Sequence, residues 1–258
     1  TATITLDGGG PQILGAGGGT GGFPSIVIDK TNTLSIQDSL SISRDWTYTA
    51  AGSVNAGSST ISFDNNVGTQ NASIAADGMA FNNVIFDKGG FTANITNTMD
   101  IDGNLTILGL RSINTGTIAV SGNVTTTDSA ISGTGTVLLD GGDPQILGAS
   151  GGVGGLPSVS INKSGDTLTI EDTINVSRNW TYSLGTVNAG SSTISFNNDA
   201  GTGTANINST GMSFNHVEID KGSSPTMITG TMDIDGNLTF TSAFTVSPGT
   251  MTLGGHLT

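Results

Sequence analysis

The chain repeats itself almost in full. A segment that begins "LDGGGPQILGAGGGTGG" at Leu6 returns as "LDGGDPQILGASGGVGG" at Leu139. Further along, "SRDWTY" at 43–48 returns as "SRNWTY" at 177–182. The sequence therefore predicts two repeat units, residues 1–133 and 134–258, of which the second lacks the last eight residues of the first. Such self-similarity is typical of repeat architectures and suggests a longer tandem array.

A shorter phrase recurs inside each unit: an apolar residue, any residue, a second apolar residue, then a small polar or acidic one. It occurs, for example, as "ITLD" at 4–7 and "ISFD" at 61–64, and its fourteen occurrences follow one another at an average of about 19 residues. Alternating apolar residues are typical of a half-buried strand. Strands at this spacing indicate the turns of a coil, because each turn buries its apolar face only against its neighbours.

The composition favours strands and turns over helices. Asp supplies 18 of the 20 acidic residues, there are four Lys, and Gly alone contributes 40 residues. We therefore predict an all-β protein, namely a β-solenoid of the right-handed parallel β-helix type, with about 19 residues per rung and about seven rungs in each unit. A tandem pair of β-sandwich domains remains the alternative, since closely spaced turn signals are expected there as well.

Charge and cysteine content exclude several functions. The net charge is −13, which disfavours binding to nucleic acid, because nucleic acid is held largely through Lys and Arg. No apolar run approaches the roughly 20 residues that span a bilayer, so we expect no membrane insertion in this segment. The absence of cysteine removes disulfides, thiol catalysis and Cys-ligated zinc.

The densest glycine stretch is "GAGGGTGGFP" at 15–24, in which Gly17, Gly19 and Gly22 have the G-x-G-x-x-G spacing. A phosphate-binding loop of this kind needs a helix after it. Here the next residues, "FPSIVIDK", have a strand pattern instead. We therefore expect a wide corner of the coil rather than a phosphate site.

Aspartates recur at the ends of the phrases, so Asp64, Asp87 and Asp102 are expected on successive rungs. Each of them could accept backbone amides at its own corner. The alternative is a bridging Ca²⁺ ion, for which the two "DIDGN" stretches offer the best candidates because they add a second carboxylate. The candidate metal ligands are Asp100, Asp102, Asp233 and Asp235. No other cofactor is expected.

Two aromatic pairs, Trp46 with Tyr48 and Trp180 with Tyr182, lie two residues apart on strands, and each pair therefore shares a face. Facing outward, they would form a contact surface for sugar rings or for a neighbouring filament. Facing inward, they would be a packed aromatic pair of the core. Both interpretations are open from the sequence.

Phrases such as "SRDWTYTAAGSVNAGSSTISFDNN" and "MDIDGNLTI" resemble the repeats of large secreted microbial surface proteins, the β-helical adhesins of the filamentous-haemagglutinin and autotransporter-passenger kind. The resemblance extends over essentially the whole chain. It implies an exported, extracellular or cell-surface protein that serves in adhesion or as a filament or coat.

No catalytic residues are predicted, because the carboxylates recur with the rungs and each His stands where the other unit has Asn. We therefore expect a non-enzymatic structural protein, a segment of a surface filament, sheath or adhesive stalk whose partners are copies of itself. A glycan-binding adhesin is the alternative, followed by a polysaccharide lyase or hydrolase built on a β-helix.

Overall fold

The computed structural model describes residues 2–49, 52–66, 70–198, 203–242, 245–247 and 249–258. Across these residues the chain is all-β and has no helix. Successive strands pair in parallel, as in Ile26 with Trp46 and Thr98 with Thr117. They form a β-solenoid of about 11 turns with about 21 residues per turn. The predicted solenoid is confirmed, and the β-sandwich alternative is wrong because its sheets would be antiparallel.

The first unit contains sixteen strands among its described residues: β1 (Ile4–Leu6), β2 (Gln12–Leu14), β3 (Thr20–Phe23), β4 (Ile26–Ile28), β5 (Leu34–Ile36), β6 (Ser39–Ile42), β7 (Trp46–Tyr48), β8 (Val54–Asn55), β9 (Thr60–Asp64), β10 (Ala72–Ala75), β11 (Ala80–Phe81), β12 (Asn83–Thr96), β13 (Thr98–Ile101), β14 (Leu105–Asn114), β15 (Thr117–Val120) and β16 (Val124–Thr126).

The described part of the second unit adds fifteen: β17 (Thr136–Leu139), β18 (Gln145–Gly148), β19 (Val153–Leu156), β20 (Val159–Ile170), β21 (Thr173–Val176), β22 (Trp180–Asn188), β23 (Thr193–Asn197), β24 (Ala205–Asn208), β25 (Ser213–Phe214), β26 (His216–Asp220), β27 (Thr226–Ile228), β28 (Thr231–Ile234), β29 (Leu238–Phe240), β30 (Val246–Ser247) and β31 (Thr250–Leu253).

Each turn of the coil crosses three faces in order, which we number along the chain. Face 1 starts with the stack β1, β4, β7 and β10. Face 2 includes the stack β11, β13, β15 and β17. Face 3 starts with the stack β3, β6 and β9, which continues into the first half of β12. The long strands β12, β14, β20 and β22 continue from one face onto the next, so each belongs to two stacks.

The turn is longer than the sequence predicted because the recurring phrase changes face. Ile26 pairs with Trp46 of the next turn, whereas the phrase that follows Ile26 begins at Leu40, which belongs to face 3 of the same turn. Such intervals within one turn shorten the average spacing of the phrases. A shift of the predicted length does occur locally, as between Thr98 and Thr117.

The repeat unit is not a whole number of turns. At about 21 residues per turn, the interval from Leu6 to Leu139 makes about six and a third turns, which is six turns and one face. Ile4 accordingly lies on face 1, while Val137, its counterpart in the second unit, pairs with Ile118 on face 2. Every feature of the first unit therefore reappears in the second unit rotated by one face about the axis.

Candidate functional site: a groove present in both units

A groove opens in the wall of each unit, at the candidate metal ligands. In the second unit it lies between the end of β22, which pairs with β20, and β25, which pairs with β28. Its volume is about 860 Å³, and Asn188, Asn215, Thr231, Asp233 and Asp235 contribute to its lining. The lining offers carboxylate, amide and hydroxyl groups.

The first unit has the counterpart groove on face 2, with a volume of about 620 Å³. Thr98 and Asp100, the counterparts of Thr231 and Asp233, line it together with Asp77 and Asp140. Because of the rotation between units, the two grooves open on different faces of the solenoid.

Asp233 is held by hydroxyl groups on both neighbouring turns. It is the strand partner of Ser213 and of Thr252. Ser213 Oγ donates to its carboxylate at 2.9 Å, and Thr252 Oγ1 donates from the other side. These hydrogen bonds, that of Thr252 first, lower the pKa of Asp233.

Asp100 occupies the same position in the first unit, but its strand partners are Ala80 and Ala119, which have no hydroxyl. Burial, followed by the neighbouring charges of Asp102 and Asp140, raises the pKa of Asp100. Corresponding positions in the two units therefore differ: the surroundings of Asp233 favour the charged carboxylate, and those of Asp100 disfavour it.

This difference predicts opposite effects of one substitution. Asp233→Ala removes two charge-assisted hydrogen bonds, and we expect it to lower the free energy of unfolding by about 1 kcal/mol. Asp100→Ala removes a carboxylate without those partners, so the change is expected within about 0.5 kcal/mol of zero or slightly stabilising. Urea denaturation at pH 7 measures both. A larger loss for Asp100→Ala than for Asp233→Ala would contradict the assignment.

Of the four predicted metal ligands, Asp100 and Asp102 lie in one turn, and Asp233 and Asp235 lie about six turns further on. Within the described ranges no three Asp, Glu, His or Cys side chains come together in an arrangement that could hold a metal ion. Calcium binding at these residues stays a prediction. Asp64, Asp87 and Asp102 do lie on three successive turns, but only two of them stack: Asp64 pairs with Asp87, whereas Asp87 pairs next with Gly109, because Asp102 follows the face 2 strand β13.

The glycine-rich stretch forms a turn at residues 17–19 and then enters strand β3, which lies within the stretch, so the prediction of a corner is confirmed. Its amides do bind an anion, but one supplied by the chain itself. The backbone N–H groups of Ala16 and Gly18 donate to Asp38 Oδ2 on the next turn at 3.0 and 3.1 Å. Gly17 and Gly18 have φ values of 65° and 86°, which the corner requires. In the second unit Asp172 is the acceptor for the corresponding corner.

The two tryptophans face inward. Trp46 and Trp180 are 0% exposed, so the predicted outward contact surface is wrong for both. The ring of Trp46 packs on Phe81 with centroids 5.2 Å apart, and its Nε1–H points to Met79 Sδ at 3.3 Å. Trp180 makes the same contacts with Phe214 and Met212.

The two tyrosines also pack against the core, but they remain partly exposed. The hydroxyl of Tyr48 donates to Gly52 O at 2.5 Å, and that of Tyr182 donates to Gly185 O at 2.6 Å. Both hydroxyls thus stabilise a backbone corner, as expected if the aromatic pairs face inward.

All four lysines are inside the solenoid, which was not among the predictions from the sequence. Each is at most 1% exposed: Lys30, Lys88, Lys163 and Lys221. Lys88 Nζ donates to Ser43 O at 2.5 Å and to Asp64 O at 2.9 Å, and it thereby joins three successive turns. Lys221 Nζ does the same with Ser177 O and Asn197 O, its counterpart carbonyls.

The other two lysines bind carbonyls of the corner between β1 and β2 and of its counterpart between β17 and β18. Lys30 Nζ donates to Gly8 O at 2.6 Å and to Gly10 O at 2.8 Å. Lys163 Nζ donates to Gly141 O and Asp143 O at 2.6 and 2.8 Å. Since an ammonium group has only donors, it suits corners at which several carbonyls point inward.

Burial lowers the pKa of Lys88 and of Lys221 from the ordinary 10.5 to about 8. Between these values the unfolded chain binds more protons than the folded chain, so the free energy of unfolding should rise with pH. We expect a higher midpoint urea concentration at pH 9.5 than at pH 7.5. Arg111→Met, which removes an exposed cation, should leave the rise unchanged. A midpoint that falls between pH 7.5 and 9.5 would contradict this expectation.

A ladder of side-chain amides connects the corners before face 3. The backbone N–H of Asn104 donates to Asn83 Oδ1 at 2.9 Å, and that of Asn123 donates to Asn104 Oδ1 at 2.8 Å. In the second unit His216 stands at the position of Asn83, and its Nδ1 accepts the N–H of Asn237 at 2.9 Å. The histidine thus replaces asparagine as a ladder acceptor.

Comparison with protein-family models, with curated proteins and with solved structures gave no match to this chain. No helix in the described part of the chain is long and apolar enough to cross a membrane.

Proposed function

We propose that this chain is a non-enzymatic structural protein, a segment of a tandem-repeat β-solenoid in an extracellular filament, sheath or adhesive stalk at a microbial surface. The observation that carries the proposal is the repetition of the buried lysine contacts. Lys88 and Lys221 each bind carbonyls of the two preceding turns. These contacts serve the stacking of turns, and both units keep them.

The groove residues differ between the two units, whereas the contacts of Lys88 and Lys221 are the same. Asp233 lies between Ser213 and Thr252, whereas Asp100 lies between two alanines. What the two units share is therefore the framework rather than the chemistry of the groove. A fold alone does not define a function, so the proposal rests on this shared framework.

Electron microscopy of the native source material, labelled with antibodies against this chain, tests the proposal. The expected result is label at regular intervals along surface fibres or a sheath. Label confined to the cell interior would overturn the proposal, as would release of sugars from polysaccharide by the purified protein.

Glycan binding is the second candidate function, and the second-unit groove favours it. Asn188, Asn215, Thr231 and Asp235 present amide, hydroxyl and carboxylate groups in an open groove of about 860 Å³. Sugar hydroxyls both donate and accept hydrogen bonds, so such a lining suits them. Glycan-array binding that is lost in Asn215→Ala and kept in Trp180→Phe would place the ligand there.

A further inference from the structure

Two of the six methionines belong to the lining of the two grooves. Met79 lines the groove of the first unit, and Met212, its counterpart, lines that of the second. They are 5% and 6% exposed, so a small part of each side chain reaches the groove. The residues that line the first groove lie between positions 77 and 140, and further turns of the solenoid stack on both sides of it. This groove is therefore a feature of the wall itself.

A tight turn places each of these side chains at its groove. The backbone N–H of Met79 donates to Ala76 O at 3.1 Å, and Gly78 has a φ of 89°. Residues with a side chain rarely adopt such a φ. The same turn recurs in the second unit, where the N–H of Met212 donates to Ser209 O at 3.0 Å. Both units thus keep the turn that leads the chain from the groove into the core.

Each sulfur atom has one side towards the core. The Nε1–H of Trp46 points to Met79 Sδ at 3.3 Å, and that of Trp180 points to Met212 Sδ at 3.4 Å. A thioether sulfur has two lone pairs and is a weak hydrogen-bond acceptor. With one lone pair directed to the tryptophan, the second is available to a small reagent in the groove.

Three other methionines differ from this pair in exposure. Met99 and Met232, which are also counterparts, are 0% exposed and do not belong to the lining of either groove. Met227 is 45% exposed. A fully buried sulfur reacts only when the structure opens locally, whereas a sulfur at a groove reacts in the folded state.

We propose that Met79 and Met212 are oxidation sites through which a peroxide weakens the solenoid wall at the grooves. With hydrogen peroxide, the O–O bond breaks and one oxygen atom is transferred to the sulfur lone pair, which forms the S–O bond of methionine sulfoxide. The sulfur loses two electrons, and the second oxygen atom leaves as water. Methionine sulfoxide reductases reverse this modification, so the change is a reversible one.

Oxidation changes the contact that joins Trp46 on β7 to the turn before β11. If the new oxygen points into the core, it adds a polar atom to a packed interior. If it points into the groove, the Nε1–H of Trp46 faces a poorer acceptor and loses most of its hydrogen bond. The folded state loses stability in both cases, and the same argument applies to Trp180.

Peptide mapping during exposure to hydrogen peroxide at pH 7 tests the sites. Met227 should be oxidised first, and Met79 and Met212 should follow, at least about tenfold faster than Met99 and Met232, because the last two wait for a local opening. In urea all of these residues should react at similar rates. Oxidation of Met79 and Met212 in the folded protein no faster than that of Met99 and Met232 would overturn the proposal.

Urea denaturation after peroxide treatment tests the effect on the wall. The midpoint urea concentration of the wild-type protein should fall, and treatment with methionine sulfoxide reductases should restore it. The double variant Met79→Leu with Met212→Leu keeps nearly the same volume, so it should fold and its midpoint should not change on oxidation. Met227→Leu is the matched control and should lose as much as the wild type. An equal loss in the double variant would overturn the proposal.

Discussion

Replacing Trp46 by alanine is expected to lower the free energy of unfolding by about 3–5 kcal/mol. The side chain is fully buried and packs on Phe81, so its truncation leaves a cavity in the core. Urea denaturation gives the size of the loss. Hydrogen exchange should show that the turns nearest residue 46 open first, because each turn is held mainly by its neighbours.

Tyr48→Phe is the matched control on the same strand. It removes one hydroxyl, which donates to Gly52 O, and keeps the ring, so a loss of about 1 kcal/mol is expected. If Trp46→Ala cost no more than Tyr48→Phe, the inward placement of the tryptophan would be wrong.

Lys88→Ala should also destabilise the solenoid strongly, by about 3 kcal/mol, because it removes the ammonium donor of two buried carbonyls and opens a cavity. The carbonyls of Ser43 and Asp64 lose their ammonium donor, and the cavity lies where the lysine side chain passed. Each buried acceptor that loses its partner costs about 1–3 kcal/mol, partly offset because the buried charge is removed as well. Chemical denaturation at pH 7 measures the change.

Two further variants separate the causes of that loss. Lys88→Met restores most of the volume, so the loss that remains reports the two carbonyls. Arg111→Met removes a positive charge from an exposed position and should change stability by less than about 0.5 kcal/mol. A loss for Arg111→Met as large as that for Lys88→Ala would indicate that net charge, rather than the buried contacts, is responsible.

The fold class could be predicted because alternation and repetition are visible in the letters of the sequence. The length of the turn could not, since "IVID" at 26–29 and "LSIS" at 40–43 look alike but lie on different faces of one turn. The recurring sequence phrase identifies a strand. The face on which that strand lies is known only from its pairing partners on the neighbouring turns. The rotation between units follows from the turn length, so it was missed for the same reason.

The inward position of the buried lysines does have a signal in the sequence, namely the alternation of inward and outward residues along their strands. Lys88 comes two residues after the inward-facing Phe86 and therefore continues the inward alternation of its strand. Lys30 stands in the same relation to Ile28. A charged residue at such a position looks like the solvated end of a strand unless carbonyls are known to converge there. Those carbonyls come from turns about 20 and 45 residues away, which no local pattern reveals.

The candidate site was predicted in part. The sequence singled out Asp100, Asp233 and Asp235, and all three line the grooves. It did not reveal that Ser213 and Thr252 flank Asp233, because these residues come from turns before and after it. The direction of the tryptophans was also open, since residues two apart share a face whether that face is inside or outside.

The stacking of residues about one turn apart is tested most directly by a disulfide between Thr106 and Thr125. These residues are strand partners on face 3, and neighbouring strands at about 4.8 Å lie within disulfide range. The account predicts that Thr106→Cys with Thr125→Cys oxidises fully within the monomer, while Thr106→Cys with Thr117→Cys, which places the thiols on two faces, stays reduced. A reduced first pair, or equal oxidation of both pairs, would contradict the solenoid.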